Sequence, residues 1–395
     1  MPWKESHLMD ERIRFISRLL DGERMSDLCR EFGISRKTGH KFHSRYMAYG
    51  VRGLMDRSRA HQYHPHKTPK EIERLIVLLR KSKPSWGPKK LKAKLESLQP
   101  GLKIPAVSTI GTILGRYGMP PRKRRRRGKA YYSTALRKSH ASNDIWCIDF
   151  KGQFRLGNSR YCYPLTVSDH FSRFLLGCES LESTKTGGAM SAFEQIFGEY
   201  GLPKVIRSDN GAPFASTGLQ GLSQLAVWFM RLGIELERTA PGHPEQNGRH
   251  ERLHWTLKYE ATRPPSYNHL QQQERFDMFR EEYNSDRPHE ALEMKTPSSI
   301  YSASENRYPD QLDDLEYPTH DMTREVESTG MVRIDKEMRF YLSNALSGEK
   351  VGLREIDPKV WQVNFMQQDL GYFSEIKKEF VQEPPAKQGA VELNV

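Results

Sequence analysis

The chain has 395 residues and a formal net charge of +13, from 62 Lys and Arg against 49 Asp and Glu. Its hydrophobic fraction of 36% is enough for a real core, and its length implies two to four domains at roughly 100–200 residues each. The positive balance favours a polyanionic partner, nucleic acid before a membrane surface. No apolar run is long enough to span a bilayer, and Met1-Pro2-Trp3-Lys4-Glu5 is not a signal peptide.

Cys29, Cys147, Cys162 and Cys178 are scattered and form no C-x-x-C pair, which excludes a zinc finger and a disulfide framework and points to a reducing cytoplasm. His61, His64 and His66 lack cysteine partners and read as part of a solvated linker.

Residues 1–60 form the first expected domain. Ile13, Ile16, Leu19 and Leu20 recur at helical spacing. A short helix fits Met25–Phe32 with Ser26 as its cap, then Gly33 makes a turn and Arg36 opens a third helix. This is the order of a helix-turn-helix, whose third element enters the major groove. Arg36, Lys37, His40, Lys41 and Arg45 are its candidate DNA-binding residues. Gly39 sits awkwardly there, since Gly inside a helix costs about 1 kcal/mol.

A second helix-turn-helix or winged-helix domain is expected over 68–118, with helices at Pro69–Lys81, after Trp86-Gly87-Pro88, and from a Ser108 cap to Leu114. The linker at 119–140 carries Arg122, Lys123, Arg124, Arg125, Arg126 and Arg127. A block this dense cannot pack, and reads as an arm that tracks DNA phosphates.

Residues 141–300 turn α/β. Strands are expected at Ile145–Phe150, Tyr161–Ser168, Phe174–Glu179, Lys204–Ser208 and Ile234–Arg238. Helices are expected at Gly187–Tyr200, Leu219–Leu232, Glu251–Glu260 and Leu270–Ser285. Three meandering strands and then alternating helix and strand is the order of a ribonuclease H-like core. Short β runs at Met331–Ile334, Arg339–Leu342, Lys350–Arg354 and Val360–Phe365 predict a small β-barrel over 320–375, followed by a loose polar tail. The whole is a multidomain α+β chain.

Three acids stand out. Asp149 lies in an apolar strand, where a carboxylate needs a cationic partner or a metal. Asp209 ends a strand just before the Asn210-Gly211 turn, which it could equally serve. Glu251 begins a helix, where an acid also complements the dipole. Hard divalent cations take oxygen ligands. Two of them about 4 Å apart can clamp the attacking and leaving oxygens of a phosphodiester.

The text around these acids is specific: Trp146-Cys147-Ile148-Asp149-Phe150-Lys151, Ser208-Asp209-Asn210-Gly211, and His243-Pro244-Glu245-Gln246-Asn247-Gly248 leading to Glu251-Arg252. Tyr283-Asn284, Arg287-Pro288-His289 and Thr296-Pro297 follow. With these the chain resembles the insertion-sequence DDE transposases that have a retroviral-integrase-type catalytic core, over nearly its whole length. The resemblance implies Asp149, Asp209 and Glu251 as catalytic and metal-holding residues, with two magnesium ions per site and manganese as a substitute. It further implies binding to terminal inverted repeats, strand transfer into target DNA, a homo-oligomer on paired ends, and a bacterial, nucleoid-associated setting. Glu245 is a rival for the third acid, because its distance from Asp209 is the commoner one. Glu251 is preferred because it occupies the family's glutamate position after the Pro-x-x-Gly loop. The longer spacing is then an insertion around Ser216–Ser223. Asp169 is read as structural, Lys258 as a DNA backbone contact, and Trp255 as core. Two other readings remain open here: a ribonuclease H-type nuclease that cuts without joining, and a DNA-binding regulator with an idle core.

Overall fold

The computed structural model describes residues 8–57, 67–120, 136–240 and 248–383. The chain divides into two compact units after Thr68. The basic run Arg122–Arg127, the histidines His61, His64 and His66, and Glu245 lie outside the described residues.

The first unit has helices α1 (Leu8–Leu20), α2 (Met25–Glu31) and α3 (Arg36–Tyr49). Phe15, Ile16, Leu28, Cys29, Phe42 and Leu54 form its core. Ile13 and Leu20, which share the helical spacing of Ile16, are exposed. The chain turns between α2 and α3 through Gly33 at φ +63°, and Ser35 caps α3 by accepting from the Thr38 amide at 3.2 Å. The expected Ser26 cap is absent: α2 follows Arg24 with no side-chain cap. Gly39 has a packing reason. A Cβ there would meet Cys29 Sγ at 2.7 Å and Met25 Sδ at 2.8 Å, so its bareness lets α3 close on α2.

In the second unit, α4 (Lys70–Ser82), α5 (Pro88–Leu98) and α6 (Val107–Arg116) pack around Ile76, Trp86, Leu91, Ile110 and Leu114. No strand occurs among the described residues of this segment, so the winged alternative has no wing. Ser108 lies inside α6, which starts after Ala106 without a side-chain cap.

A six-stranded sheet follows, built from β1 (Ile145–Phe150), β2 (Phe154–Arg155), β3 (Tyr161–Asp169), β4 (Leu175–Leu181), β5 (Val205–Ser208) and β6 (Glu235–Arg238). Its order is β2-β3-β1-β5-β6, with β4 on β3. β1 is antiparallel to β3 and parallel to β5. Helices cover both faces. Trp146 and Ile148 pack with Phe193 and Phe197 of α7 (Thr186–Tyr200) and Phe229 of α8 (Gln224–Arg231). On the other face, Leu175 and Cys178 pack with Leu253 and Leu257 of α9 (Gly248–Glu260) and Phe276 and Phe279 of α10 (His269–Glu281). This is the expected ribonuclease H-like order, with the two-residue β2 added.

The helical segment is tied to this core by charge. Lys83 reaches Glu282 at 2.7 Å and Asp286 at 3.2 Å, Lys94 also meets Asp286, and Lys89 meets Glu290. Arg287 grips both oxygens of Glu260, at 2.7 and 2.9 Å, and Ser85 bonds to the same carboxylate. Composition and spacing alone had given no sign of this docking.

The single helix expected over Leu219–Leu232 is broken. A short turn at Leu219–Gly221, with Gln220 at φ +47°, precedes α8, which Ser223 caps. The cause is packing. Leu219, Leu222, Ala226 and Val227 join Val332 and Phe340 of a hairpin and Leu353, Val363, Phe365 and Phe373 of the C-terminal sheet. That sheet contains β7 (Met322–Glu325), β10 (Lys350–Asp357), β11 (Val360–Phe365), β12 (Gln368–Ser374) and β13 (Glu379–Val381), beside a hairpin of β8 (Met331–Arg333) and β9 (Arg339–Tyr341). Among the described residues it is an open antiparallel sheet in the order β13-β12-β11-β10-β7, not the closed barrel expected. Pairing of β13 with β12 also carries order beyond the point where a loose tail was expected.

Candidate active site

Side chains alternate across a strand. Trp146 and Ile148 face α7 and α8, so Asp149 faces α9. Asp209 follows β5 directly, next to β1 in the sheet. Its Oδ1 accepts from the Gly211 amide at 3.0 Å, so Asp209 serves the turn. A Cβ on Gly211 would stand 3.0 Å from Asp209 Oδ2, and the glycine permits this close approach. Glu251 lies exposed in the first turn of α9.

These acids feel one another. The Asp149 carboxyl is pushed up to about 7, by burial first and then by the charge of Asp209, with Glu251 acting in the same direction. The Phe150 amide and the Lys151 ammonium oppose the shift. Among the described residues no group of three His, Cys, Asp or Glu stands close enough to enclose a metal ion. The arrangement is therefore an open set of two strand acids and one helix acid. It fits a hard cation chemically: a partly buried carboxyl beside two like charges is relieved by positive charge between them, and the donors are oxygens.

Asp169 is buried with structural partners. Its Oδ1 accepts from the Asn143 amide at 2.9 Å, and its Oδ2 from the Ser172 amide and hydroxyl at 2.7 and 2.6 Å. Lys258 is exposed on α9. Burial first, and the charge of Lys258 second, lower the Lys151 ammonium, while the charge of Asp149 raises it. Trp255 departs from the expectation. It is 47% exposed, with the Tyr259 ring 4.6 Å away. The buried stripe of α9 is taken by His250, Leu253, His254 and Leu257.

In the first unit, Arg36, Lys37, His40 and Lys41 are exposed along α3, and Arg45 is half-buried.

Residue-by-residue reading missed His250 and His254. They lie four apart on α9, on the face turned to the sheet. The Thr166 hydroxyl is 2.6 Å from Nε2 of His250 and 2.8 Å from Nε2 of His254. His254 Nδ1 lies 3.7 Å from Asp149 Oδ2. Burial, above all, holds the His250 imidazole down at about 3 and His254 lower still, so both are neutral. The only trace in the sequence was that i, i+4 spacing around Glu251.

Two family models described as "Integrase core domain" match residues 139–244 and 232–297. The first contains Asp149 and Asp209, the second Glu251. The central region is an integrase core. A "Helix-turn-helix domain" model matches 11–60 and a "Homeodomain-like domain" model 38–114. The insertion element IS407 uncharacterized 31.7 kDa protein of Burkholderia multivorans is 28% identical over 180 residues, 45% of this chain and 62% of that protein. The Gag-Pol polyprotein of baboon endogenous virus is 34% identical over 118 residues, 30% of this chain and 6% of the polyprotein. The chain thus spans less than two thirds of either relative. The HTLV-2 integrase catalytic core domain in complex with magnesium shares 17% identity at a TM-score of 0.34, over 42% of this chain and 100% of that one. The chain thus carries an integrase core together with helix-turn-helix domains, and its core resembles a protein of a bacterial insertion element. No helix among the described residues is long and apolar enough to cross a membrane.

Proposed function

We propose that this chain is a DNA transposase. It binds the terminal inverted repeats of an insertion sequence, cleaves at the element ends and joins the freed 3′-hydroxyls to target DNA. The observation that carries the reading is the Asp149 carboxyl, raised by burial and by the charges of Asp209 and Glu251 inside an integrase core. These three residues would hold two magnesium or manganese ions, which when bound supply Lewis acidity and activate water or a 3′-hydroxyl. Lys151 and Lys258 bind the phosphodiester backbone and orient it over the acids. Arg36, Lys37, His40, Lys41 and Arg45 read DNA from α3.

In this reading the domains are 1–60 and 68–118 for DNA binding, 119–140 as a basic arm, 141–300 for catalysis, and 320–375 as a C-terminal β module. The protein works as a homo-oligomer assembled on paired ends, in a bacterial cytoplasm at the nucleoid.

The test uses labelled DNA that carries the element's flanking repeats. Cutting and joining are expected with magnesium or manganese and should vanish on chelation while end binding persists. Cutting that survives chelation would overturn the metal assignment, and cutting without joining would replace the transposase with a nuclease. Binding alone would leave a regulator.

The arm gives a second expectation. Changing Arg124, Arg125, Arg126 and Arg127 together to Ala should weaken binding on all sequences alike. It should also flatten the slope of log affinity against log salt by up to about 0.9 for each phosphate no longer neutralised. Titrations at several salt concentrations read this directly. A loss confined to one sequence would contradict backbone tracking.

A further inference from the structure

Helix α9 carries Glu251 and strand β1 carries Asp149, and something must fix one against the other. Thr166 stands directly opposite Asp149 in the β1–β3 register, flanked by the buried apolar Leu165 and Val167. A hydroxyl at such a position, where a Val would fit, calls for a reason.

Its hydrogen bonds can be counted. A threonine hydroxyl has one proton to give and two lone pairs to offer. Thr166 Oγ1 is 3.0 Å from the Asp149 carbonyl oxygen, 2.6 Å from His250 Nε2 and 2.8 Å from His254 Nε2. The carbonyl can only accept, so the proton goes there. Both imidazoles must then donate through Nε2–H. His250 Nδ1 is left to accept from the Ser168 hydroxyl at 3.2 Å. His254 Nδ1 keeps a lone pair turned toward Asp149 Oδ2 at 3.7 Å, too far for a hydrogen bond. The hydroxyl is thus filled on all sides, and its partners are the backbone of one acid's own residue and two turns of the helix that bears another.

We propose that Thr166, His250 and His254 are positioning residues: the Thr166 hydroxyl fastens α9 to β1 at Asp149, so that Glu251 and Asp149 keep the separation needed for the shared cation site. The inference rests on the catalytic reading of these acids. It is a hydrogen-bonded fastening in which one hydroxyl holds two ring nitrogens of α9 and the backbone of β1. Outer partners of this kind typically govern metal affinity or activity by about 10–100-fold.

The first experiment needs no variant. Nitrogen-15 spectra of the histidine-labelled full chain at neutral pH should show His250 and His254 both protonated at Nε2. A proton on Nδ1 of either ring would overturn the fastening. The second compares Thr166→Val and Thr166→Ser in joining assays, with magnesium affinity followed by calorimetry. Thr166→Val should lower joining and cation affinity by about 10–100-fold with DNA-end binding unchanged, and Thr166→Ser should restore most of both. Joining by Thr166→Val at the wild-type rate would sink the proposal. Should Thr166→Val not fold, the histidine spectra and the activity of Thr166→Ser decide it. A wild-type chain that never joins DNA would remove the transposase reading instead, and the histidine tautomers would still be open to measurement.

Discussion

Asp149→Asn is expected to lower cutting and joining by on the order of 10³-fold or more, the scale on which loss of a catalytic group registers, while end binding stays near wild type. The substitution keeps the size and shape of the side chain and removes its charge. That charge is disfavoured where it sits, by burial and by Asp209 and Glu251. The neutral amide therefore relieves repulsion, and the variant should be at least as stable as the wild type. The site loses one of the oxygens able to carry negative charge to a cation. Thermal unfolding beside a cleavage assay separates the two effects. A variant that neither folds nor binds DNA ends would give Asp149 a folding role instead.

The second large effect concerns the third acid. Glu251→Gln is expected to match Asp149→Asn in its loss of cleavage, and Glu245→Gln to stay close to wild type. Glu251 raises the Asp149 carboxyl through its own charge, so it stands within the field of the strand acids. It is also held there by a helix whose inner face is pinned through His250 and His254. The objection to Glu251 is its distance in sequence from Asp209, and the structure supplies a reason for the extra length. The segment between them carries Leu219 and Leu222 into the core of the C-terminal sheet. Gln220 adds a bond from its Nε2 to the Asp369 carbonyl at 2.6 Å. Cleavage rates of the two glutamate variants on one DNA substrate decide between them.

The elements that sequence shows best are those whose pattern and environment agree. β1 and β11 have the bounds expected, because each is a short run of apolar and aromatic residues with turn signals at its ends. The three acids stand out in sequence because each sits in a distinctive local text, and the integrase-core matches contain all three positions. What was illegible depends on packing between residues far apart in the chain. Helix α8 begins late because Leu219 and Leu222 answer to strands more than a hundred residues away. Gly39 looked like a flaw in a helix until the sulfur atoms of Cys29 and Met25 were seen against it. Trp255 looked like core because it is large and aromatic, but its place on the helix is off the buried stripe. The C-terminal strands alternate as a barrel would, yet whether a sheet closes depends on its edges, and the β7 side meets the β8–β9 hairpin through a single bridge, Val326 to Val332, rather than a continuous ladder. The Thr166 pair of histidines needed three dimensions, because Thr166 is 84 and 88 residues away from its two partners.

The central claim is that Asp149, Asp209 and Glu251 together perform metal-dependent DNA joining. It is tested most directly by one strand-transfer assay on labelled element ends with magnesium. Wild type would be run beside Asp149→Asn, Asp209→Asn, Glu251→Gln and Glu245→Gln. Joined product from wild type and Glu245→Gln alone is the predicted result. Joined product from any of the other three, or its loss only in Glu245→Gln, would contradict the claim.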